Sequence, residues 1–195
     1  YNANMLANEM FLDSASTRRN VVSHAKTLGY EVSSVSSSTA FINVILNNVS
    51  SDTVTMPAGT SFSATVDGQG YRFVTVSSLT GTKDGTSVTF NTVPVYEGTY
   101  ITTRYVVNTS DVEQRFIIDS SEADTRTIRV RVQNSASDTT IYTYLKATDI
   151  TQLTASSKVY YIQEVEDGKF QIYFGDGVVS KALSDGNVVL IDAVI

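Results

Sequence analysis

The residues that could carry out acid–base or metal chemistry are few in this chain. His24 is the only histidine, and there is no cysteine, so a thiolate nucleophile and a cysteine metal site are excluded. A Ser-His-Asp arrangement would need His24 to meet its partners from the middle of a predicted helix. A metal site built on several histidines is excluded by count. The pattern favours a packed or solvated helix histidine over a catalytic one.

Two groups of carboxylates are the other possible source of chemistry. Glu164, Glu166 and Asp167 surround a predicted hairpin, and Asp176 and Asp185 lie further along the chain. A calcium loop needs several oxygen ligands at fixed spacing, which neither group supplies. Aspartate and glycine are also the residues that tight turns select. We therefore interpret both groups as turns and predict no catalytic residue, no metal ligand and no cofactor.

A small basic group is formed by Arg126, Arg129 and Arg131. It has two interpretations. The arginines either bind an acidic surface of a partner, or they place charge on an exposed strand face or sheet edge. Charge on an edge commonly prevents unwanted strand pairing, so the second interpretation is preferred.

A helical segment is predicted near the N-terminus, where residues 4–28 are rich in helix formers. Two short helices or one bent helix fit this segment, with Ser16 or Thr17 as the cap of the second helix and Gly29 as its end. One face of the second helix is apolar and is predicted to dock on a sheet. Its members are Val21, Ala25 and Leu28.

The rest of the chain alternates apolar and polar residues with period two, which is typical of half-buried strands. The four clearest stretches are Phe62–Val66, Val88–Phe90, Ile128–Val132 and Phe170–Phe174. Asp167-Gly168 joins residues 159–166 to residues 169–174 and suits a type I′ hairpin turn. Short turns imply antiparallel pairing. The predicted fold is mainly β (α+β), with antiparallel β-sandwich-like sheets and a short N-terminal helical segment.

The predicted organisation has three parts. Residues 1–38 form the helical segment and linker, residues 39–107 a first β module, and residues 108–195 a second β module. The boundary is placed at a polar, weakly periodic stretch that begins at Asn108. The apolar run from Val188 to Ile195 has no closing turn, so the second module is expected to be truncated at its C-terminus.

Composition limits the possible partners. The chain of 195 residues has a formal net charge of -6 and a pI near 4.7, so a phosphate backbone would be repelled. No stretch approaches the roughly 20 apolar residues that span a bilayer. Neither nucleic acid nor membrane is predicted as a partner.

Several segments occur in a recognisable order along the chain. They are residues 8–15, 18–21 and 24–30, then Pro57–Thr60 and Tyr71–Thr75, and then residues 159–164, 167–168, 174–181 and 186–189. This order resembles the T4-type phage baseplate wedge proteins of the baseplate J-like family. The resemblance spans nearly the whole chain, which makes it more specific than any single motif.

The resemblance implies a structural virion protein of the tail baseplate, made in the host bacterial cytoplasm and not an enzyme. Such a protein would pair with copies of itself, as a homodimer or ring, and with other wedge subunits around the tail hub of a contractile tail. The segments that carry the resemblance suggest two contact regions. Their candidate contact residues are Phe11, Arg18 and Arg19 in the helical segment, and Asp176 and Lys181 near the C-terminus.

Two rival functions give different expectations. An extracellular carbohydrate-binding or adhesin-type β-sandwich would present an exposed aromatic platform on which sugars converge. An enzyme using the carboxylates near Asp176 would need a pocket and at least one carboxylate with a raised pKa. The resemblance favours the baseplate interpretation over both, and this preference is an argument by analogy.

Overall fold

A computed structural model describes residues 8–30 and 32–195, together with most of their side chains. Along the chain, its regular elements are α1 (Arg18–Thr27), β1 (Thr39–Leu46), β2 (Thr53–Met56), β3 (Ser61–Val66), β4 (Gln69–Val74), β5 (Leu79–Thr82), β6 (Val88–Glu97), β7 (Tyr100–Val106), β8 (Phe116–Ile118), β9 (Asp124–Gln133), β10 (Ile141–Lys146), β11 (Val159–Glu164), β12 (Phe170–Phe174) and β13 (Val188–Val194). Short 3-10 helices lie at Ile150–Gln152 and Glu166–Gly168.

The strands of the described residues form three sheets. Their orders are β1-β6-β4-β3, β7-β13-β9-β10-β11-β12-β8 and β2-β5. Neighbouring strands are antiparallel except β10 and β11, which run parallel. The predicted mainly β fold, with antiparallel sheets and a short N-terminal helix, is confirmed.

The seven-stranded sheet curls into a nearly closed barrel. The hydroxyl of Tyr105 on β7 joins its two edge strands. It donates to the carbonyl of Ile117 on β8 at 2.6 Å and accepts from the Ile117 N–H at 3.2 Å. Edge-to-face rings continue from Tyr105 through Phe116 and Phe174 to Tyr144, with centroids 5.5 to 5.6 Å apart. The barrel therefore has its own apolar interior.

Burial follows the predicted alternation along β9, but only in part along β12, where Gln171 is also buried and Phe174 is half-buried. Ile128, Val130 and Val132 of β9 are buried, as are Phe170 and Ile172 of β12. The predicted hairpin joins β11 to β12. Asp167 and Gly168 both have positive φ, 59° and 71°, as the predicted turn requires.

The four-stranded sheet has a smaller core of its own. Val88 and Phe90 of β6 are buried, as their alternation predicts, and Met56 from the two-stranded sheet packs against them. The alternation of β3 is only partly reflected in burial. Phe62 joins this core, whereas Ala64 and Val66 are exposed because β3 is an edge strand.

Helix α1 is held at both ends. Both oxygens of the Glu9 carboxylate accept hydrogen bonds from the residues before the helix, including the hydroxyls of Ser16 and Thr17, each at 2.6 Å. Gly29 (φ 76°) ends the helix, and the Tyr30 N–H donates to the Ala25 carbonyl at 2.9 Å, the Schellman pattern.

The docking face of α1 was only partly predicted. Val22 is buried, but Leu28 is 72% exposed, so its assignment to the docked face is wrong. Leu28 lies beyond the last helical residue, Thr27, where the chain turns away. The first residues of the predicted helical segment, 4–7, lie outside the described residues.

The chain passes from the four-stranded sheet to the barrel at Gly98 and Thr99. Strand β6 ends at Glu97, and β7 pairs with β13 over seven residue pairs, from Tyr100↔Val194 to Val106↔Val188. Strand pairing thus joins β7 to the barrel, although β7 precedes residue 108. The division at residues 107 and 108 stays a prediction about which parts fold independently.

Candidate interaction surfaces

The arginines of β9 contact other parts of the same chain. Strand β9 lies between β13 and β10, so the interpretation of these residues as protection of a sheet edge is wrong. Arg131 makes two bonds of 2.9 Å to the Asp192 carboxylate. The Arg129 guanidinium donates to the Val76 carbonyl at 2.9 Å and so ties the barrel to the segment after β4.

Arg126 neutralises a second buried carboxylate. Its Nε and Nη2 donate to Asp124 at 3.0 and 2.7 Å, and the Asp124 side chain is fully buried. Burial acts to raise the pKa of Asp124, but hydrogen bonds from Arg126 and from the Ser37 and Arg126 N–H groups outweigh it and lower the pKa. The carboxylate fixes the linker before β1 to the start of β9.

Asp192 is the centre of a polar network on three barrel strands. It accepts from Arg131 on β9 and from the Thr102 hydroxyl on β7, the latter at 2.7 Å. Burial, together with the nearby charge of Asp192, raises the pKa of Tyr100 to about 12. This network explains why the outer face of β13 contains a buried charge.

The helical segment meets the barrel through Arg18, one of the candidate contact residues. Its Nε and Nη2 donate to the two oxygens of Glu164 at 2.9 and 3.0 Å. The Glu164 side chain is buried, whereas that of Arg18 is 63% exposed. Arg18 is therefore anchored to the barrel while it presents surface to solvent.

The region around Arg18 forms a mixed polar groove. A cavity of about 1080 Å³ lies between α1, the linker residues 33–35 and the β11–β12 turn. Phe11 is 66% exposed and lies in the turns before α1. The side chain of Arg19 lies outside the described part of the structure.

His24 contacts the backbone of the segment before the helix. Its Nε2 lies 3.0 Å from the carbonyl oxygen of Glu9. The Glu9 carboxylate accepts hydrogen bonds from Ser16, Thr17 and Asn20, and these hold its pKa well below the usual range. His24 and Glu9 together fold the N-terminal turn back on α1, which is a structural contribution.

The C-terminal candidate residues lie on and beside a tight turn. Asp176 accepts hydrogen bonds from the N–H groups of Val178 and Val179 at 2.9 and 3.3 Å, and these lower its pKa. A lowered pKa is the opposite of what the enzyme interpretation requires of this carboxylate. The predicted turn role is the one that the geometry supports.

Lys181 lies over an aromatic ring that the sequence did not identify. Its Nζ is 5.8 Å from the centroid of the Tyr142 ring, and the Lys158 Nζ is 3.6 Å from the same centroid. The Lys181 N–H also donates to the Ser157 carbonyl. The two candidate groups thus lie at opposite ends of β11, since Arg18 binds its last residue, Glu164.

A further exposed surface lies on the edge strand β1. Phe41 and Ile45 point away from the small core and are 66% and 60% exposed. Strand β1 contains no charged residue, and none occurs between Glu31 and Asp52. This charge-free run was visible in the sequence, but its position at a sheet edge was not.

Within residues 8–30 and 32–195, no group of three or more His, Cys, Asp or Glu side chains could hold a metal ion. No helix in that part of the chain is long and apolar enough to cross a membrane.

Part of the chain is similar to a known protein family. No curated protein matches the chain. Residues 102–192 match the family described as bacteriophage baseplate wedge protein gp6, third domain. The matched residues begin within β7 and end within β13, so they coincide with the nearly closed barrel. This match shows that the barrel is similar to a domain of a phage baseplate wedge protein.

Proposed function

We propose that the chain is a structural subunit that assembles the wedge or inner ring of a contractile-tail phage baseplate around the tail hub through protein–protein contacts. The observation that carries the proposal is the match of the barrel residues, 102–192, to a baseplate wedge domain. That family is structural, which is consistent with a protein that is not an enzyme, belongs to the virion tail baseplate and interacts with other baseplate subunits.

The finer parts of the proposal extend the resemblance of the sequence. They are membership of the baseplate J-like family, a homodimer or ring, and contacts with neighbouring wedge subunits. Two surfaces of suitable character support them. One contains the exposed Phe11 and the anchored Arg18, and the other contains Asp176 and Lys181 beside the Tyr142 ring. Exposed aromatic and arginine side chains are enriched where proteins bind each other.

Sedimentation across a concentration series tests the proposed assembly. We expect reversible dimers or larger species, and we expect Phe11→Asp or Lys181→Glu to shift the equilibrium toward monomer. Val112→Asp is the matched control, because Val112 is 91% exposed in a loop outside both surfaces. A strict monomer that binds glycans would contradict the proposal and favour the carbohydrate-binding alternative.

A further inference from the structure

Strand β1 is an unprotected sheet edge. It is eight residues long, and among the described residues it pairs only with β6, through one side. Edge strands in natural proteins are usually short, charged, interrupted by proline or distorted by a bulge, because a regular edge pairs with other chains. Strand β1 has no charge and no proline. Its free backbone groups suit one kind of occupant, which is another β-strand.

The irregularity in this sheet lies on β6 and leaves the β1 edge regular. Ile42 is opposite Val93 and Val44 is opposite Phe90, so β6 contains the extra residue. Thr92 has a φ of 53°, and its N–H donates to the Asn43 side-chain oxygen at 2.8 Å. This bond holds the bulge on the inner neighbour, and β1 keeps its alternation of exposed and half-buried side chains.

The other edges of the two larger sheets are less suited to pairing. Strand β8 has three residues and is bridged to β7 by Tyr105. Strand β7 contains Arg104. Strand β3 is uncharged but exposes mainly small side chains, with Val66 at its end beside the Asp67 turn. Only β1 among these edges combines length, lack of charge and two large exposed apolar side chains.

We infer that β1 pairs antiparallel with β1 of a second copy of this chain, with the two-fold axis at Asn43. In this register Phe41 of each copy lies opposite Ile45 of the partner subunit, and both of these pairs lie on one face of the sheet. On the other face, Ala40 of each copy lies opposite Leu46 of the partner subunit. Aromatic and β-branched side chains make favourable cross-strand pairs. Shifting the axis by one residue would place Phe41 opposite an asparagine and lose both pairs.

Electrostatics favours the same edge. Each copy has a net charge of -6, so two copies repel each other over most of their surfaces. The run between Glu31 and Asp52 contains no charge, although charged residues make up 17% of the chain. The dimer would join two four-stranded sheets into one continuous sheet of eight strands. This inference rests on the proposed self-association and adds the β1 edge to the two surfaces named above.

Paired cysteines test the register directly, because the chain has no cysteine of its own. Residues 41 and 45 are four apart on one strand, about 13 Å, which is too far for a disulfide within a chain. Under mild oxidation we expect Phe41→Cys/Ile45→Cys to form a covalent dimer. Each single variant should stay free of crosslinked dimer, since position 41 faces position 45 and not itself. A double variant that stays monomeric overturns the inference.

Charged substitutions at positions 41 and 45 test the β1 interface separately from the proposed function. Phe41→Asp/Ile45→Asp places like charges opposite each other twice, and we expect the dissociation constant to rise about tenfold or more. Phe41→Asp/Ile45→Lys places opposite charges there and should restore the dimer, while Val66→Asp on β3 should leave it unchanged. Wild-type association that none of these variants alters would overturn the β1 interface and leave assembly through other surfaces intact.

Discussion

Burial determines which charged side chains of this protein stabilise the fold and which remain at the surface. Asp124 and Asp192 are almost completely inaccessible, and a buried carboxylate costs several kcal/mol unless a cation and hydrogen bonds compensate it. Arg126 and Arg131 supply that compensation. The Arg131 side chain is 32% exposed, whereas the side chains of Arg126 and Arg18 remain 54% and 63% exposed while they bind Asp124 and Glu164.

Asp124 should make the stability depend on pH in the acid range. Its folded pKa is lowered from 3.8, so the unfolded chain binds the proton more readily. The stabilisation is therefore complete above the unfolded pKa and is lost as pH falls through the folded pKa. We expect Asp124→Asn to lower the free energy of unfolding by about 1–3 kcal/mol at neutral pH and to flatten its decline below about pH 5.

Urea unfolding at a series of pH values measures this dependence. Asp52→Asn is the control, because the Asp52 side chain is 98% exposed and 4.0 Å from the Lys83 Nζ. An Asp124→Asn curve parallel to that of the wild type would show that other carboxylates are responsible for acid sensitivity.

At the scale of elements, the Tyr105 hydroxyl bridges the two edge strands of the barrel. Tyr105→Phe removes both bonds to Ile117 but keeps the ring against Phe116. We expect a loss of about 1–3 kcal/mol, because a half-buried backbone donor and acceptor lose their partner. Amide exchange of residues 116–118 should quicken more than that of β13. Tyr144→Phe is the control, because Tyr144 belongs to the same set of edge-to-face rings. If both variants lowered the stability and quickened amide exchange equally, the role of the Tyr105 hydroxyl in closing the barrel would be contradicted.

The sequence predicted those elements whose signals are local. Asp167-Gly168 identified its hairpin because the backbone of that turn requires positive φ at adjacent residues. Period-two alternation identified β6, β9 and β12 as strands but could not supply their partners. The pairing of β7 with β13 joins residues about 90 positions apart, such as Thr103 and Ile191, and a two-residue period does not encode that choice.

The candidate surfaces were predictable to a similar extent. Lys181 stays a predicted contact residue. The sequence did not show that Tyr142 and Lys158 lie beside it, because they come together through the parallel pairing of β10 with β11. The sequence could not show that Arg126 and Arg131 bind Asp124 and Asp192, because tertiary packing brings these carboxylates to the arginines and buries them. Leu28 was misassigned because helical periodicity does not show where the chain leaves the helix.

At the scale of the whole molecule, a few polar contacts and one glycine join the two larger sheets. The Gly98 N–H donates to the backbone carbonyl of Arg72 on β4 at 2.9 Å. Gly98 has a φ of 131°, and a Cβ atom at this position would lie 2.5 Å from the Ile195 carbonyl oxygen. The Arg129 guanidinium also donates to the Val76 carbonyl, and the Asp124 carboxylate accepts a bond from the Ser37 N–H. The barrel that matches the baseplate wedge domain is thus attached to the sheet that contains β1.

Fragments of the chain should show where the barrel begins as a folding unit. Residues 99–195 contain all seven barrel strands, whereas residues 108–195 lack β7, its seven pairs with β13 and the Tyr105 bridge. We expect the longer fragment to melt cooperatively by circular dichroism and the shorter one to lack a cooperative transition, because its barrel would open between β13 and β8. Equal stability of the two fragments would instead favour the division at residues 107 and 108 and would make β7 an accessory strand.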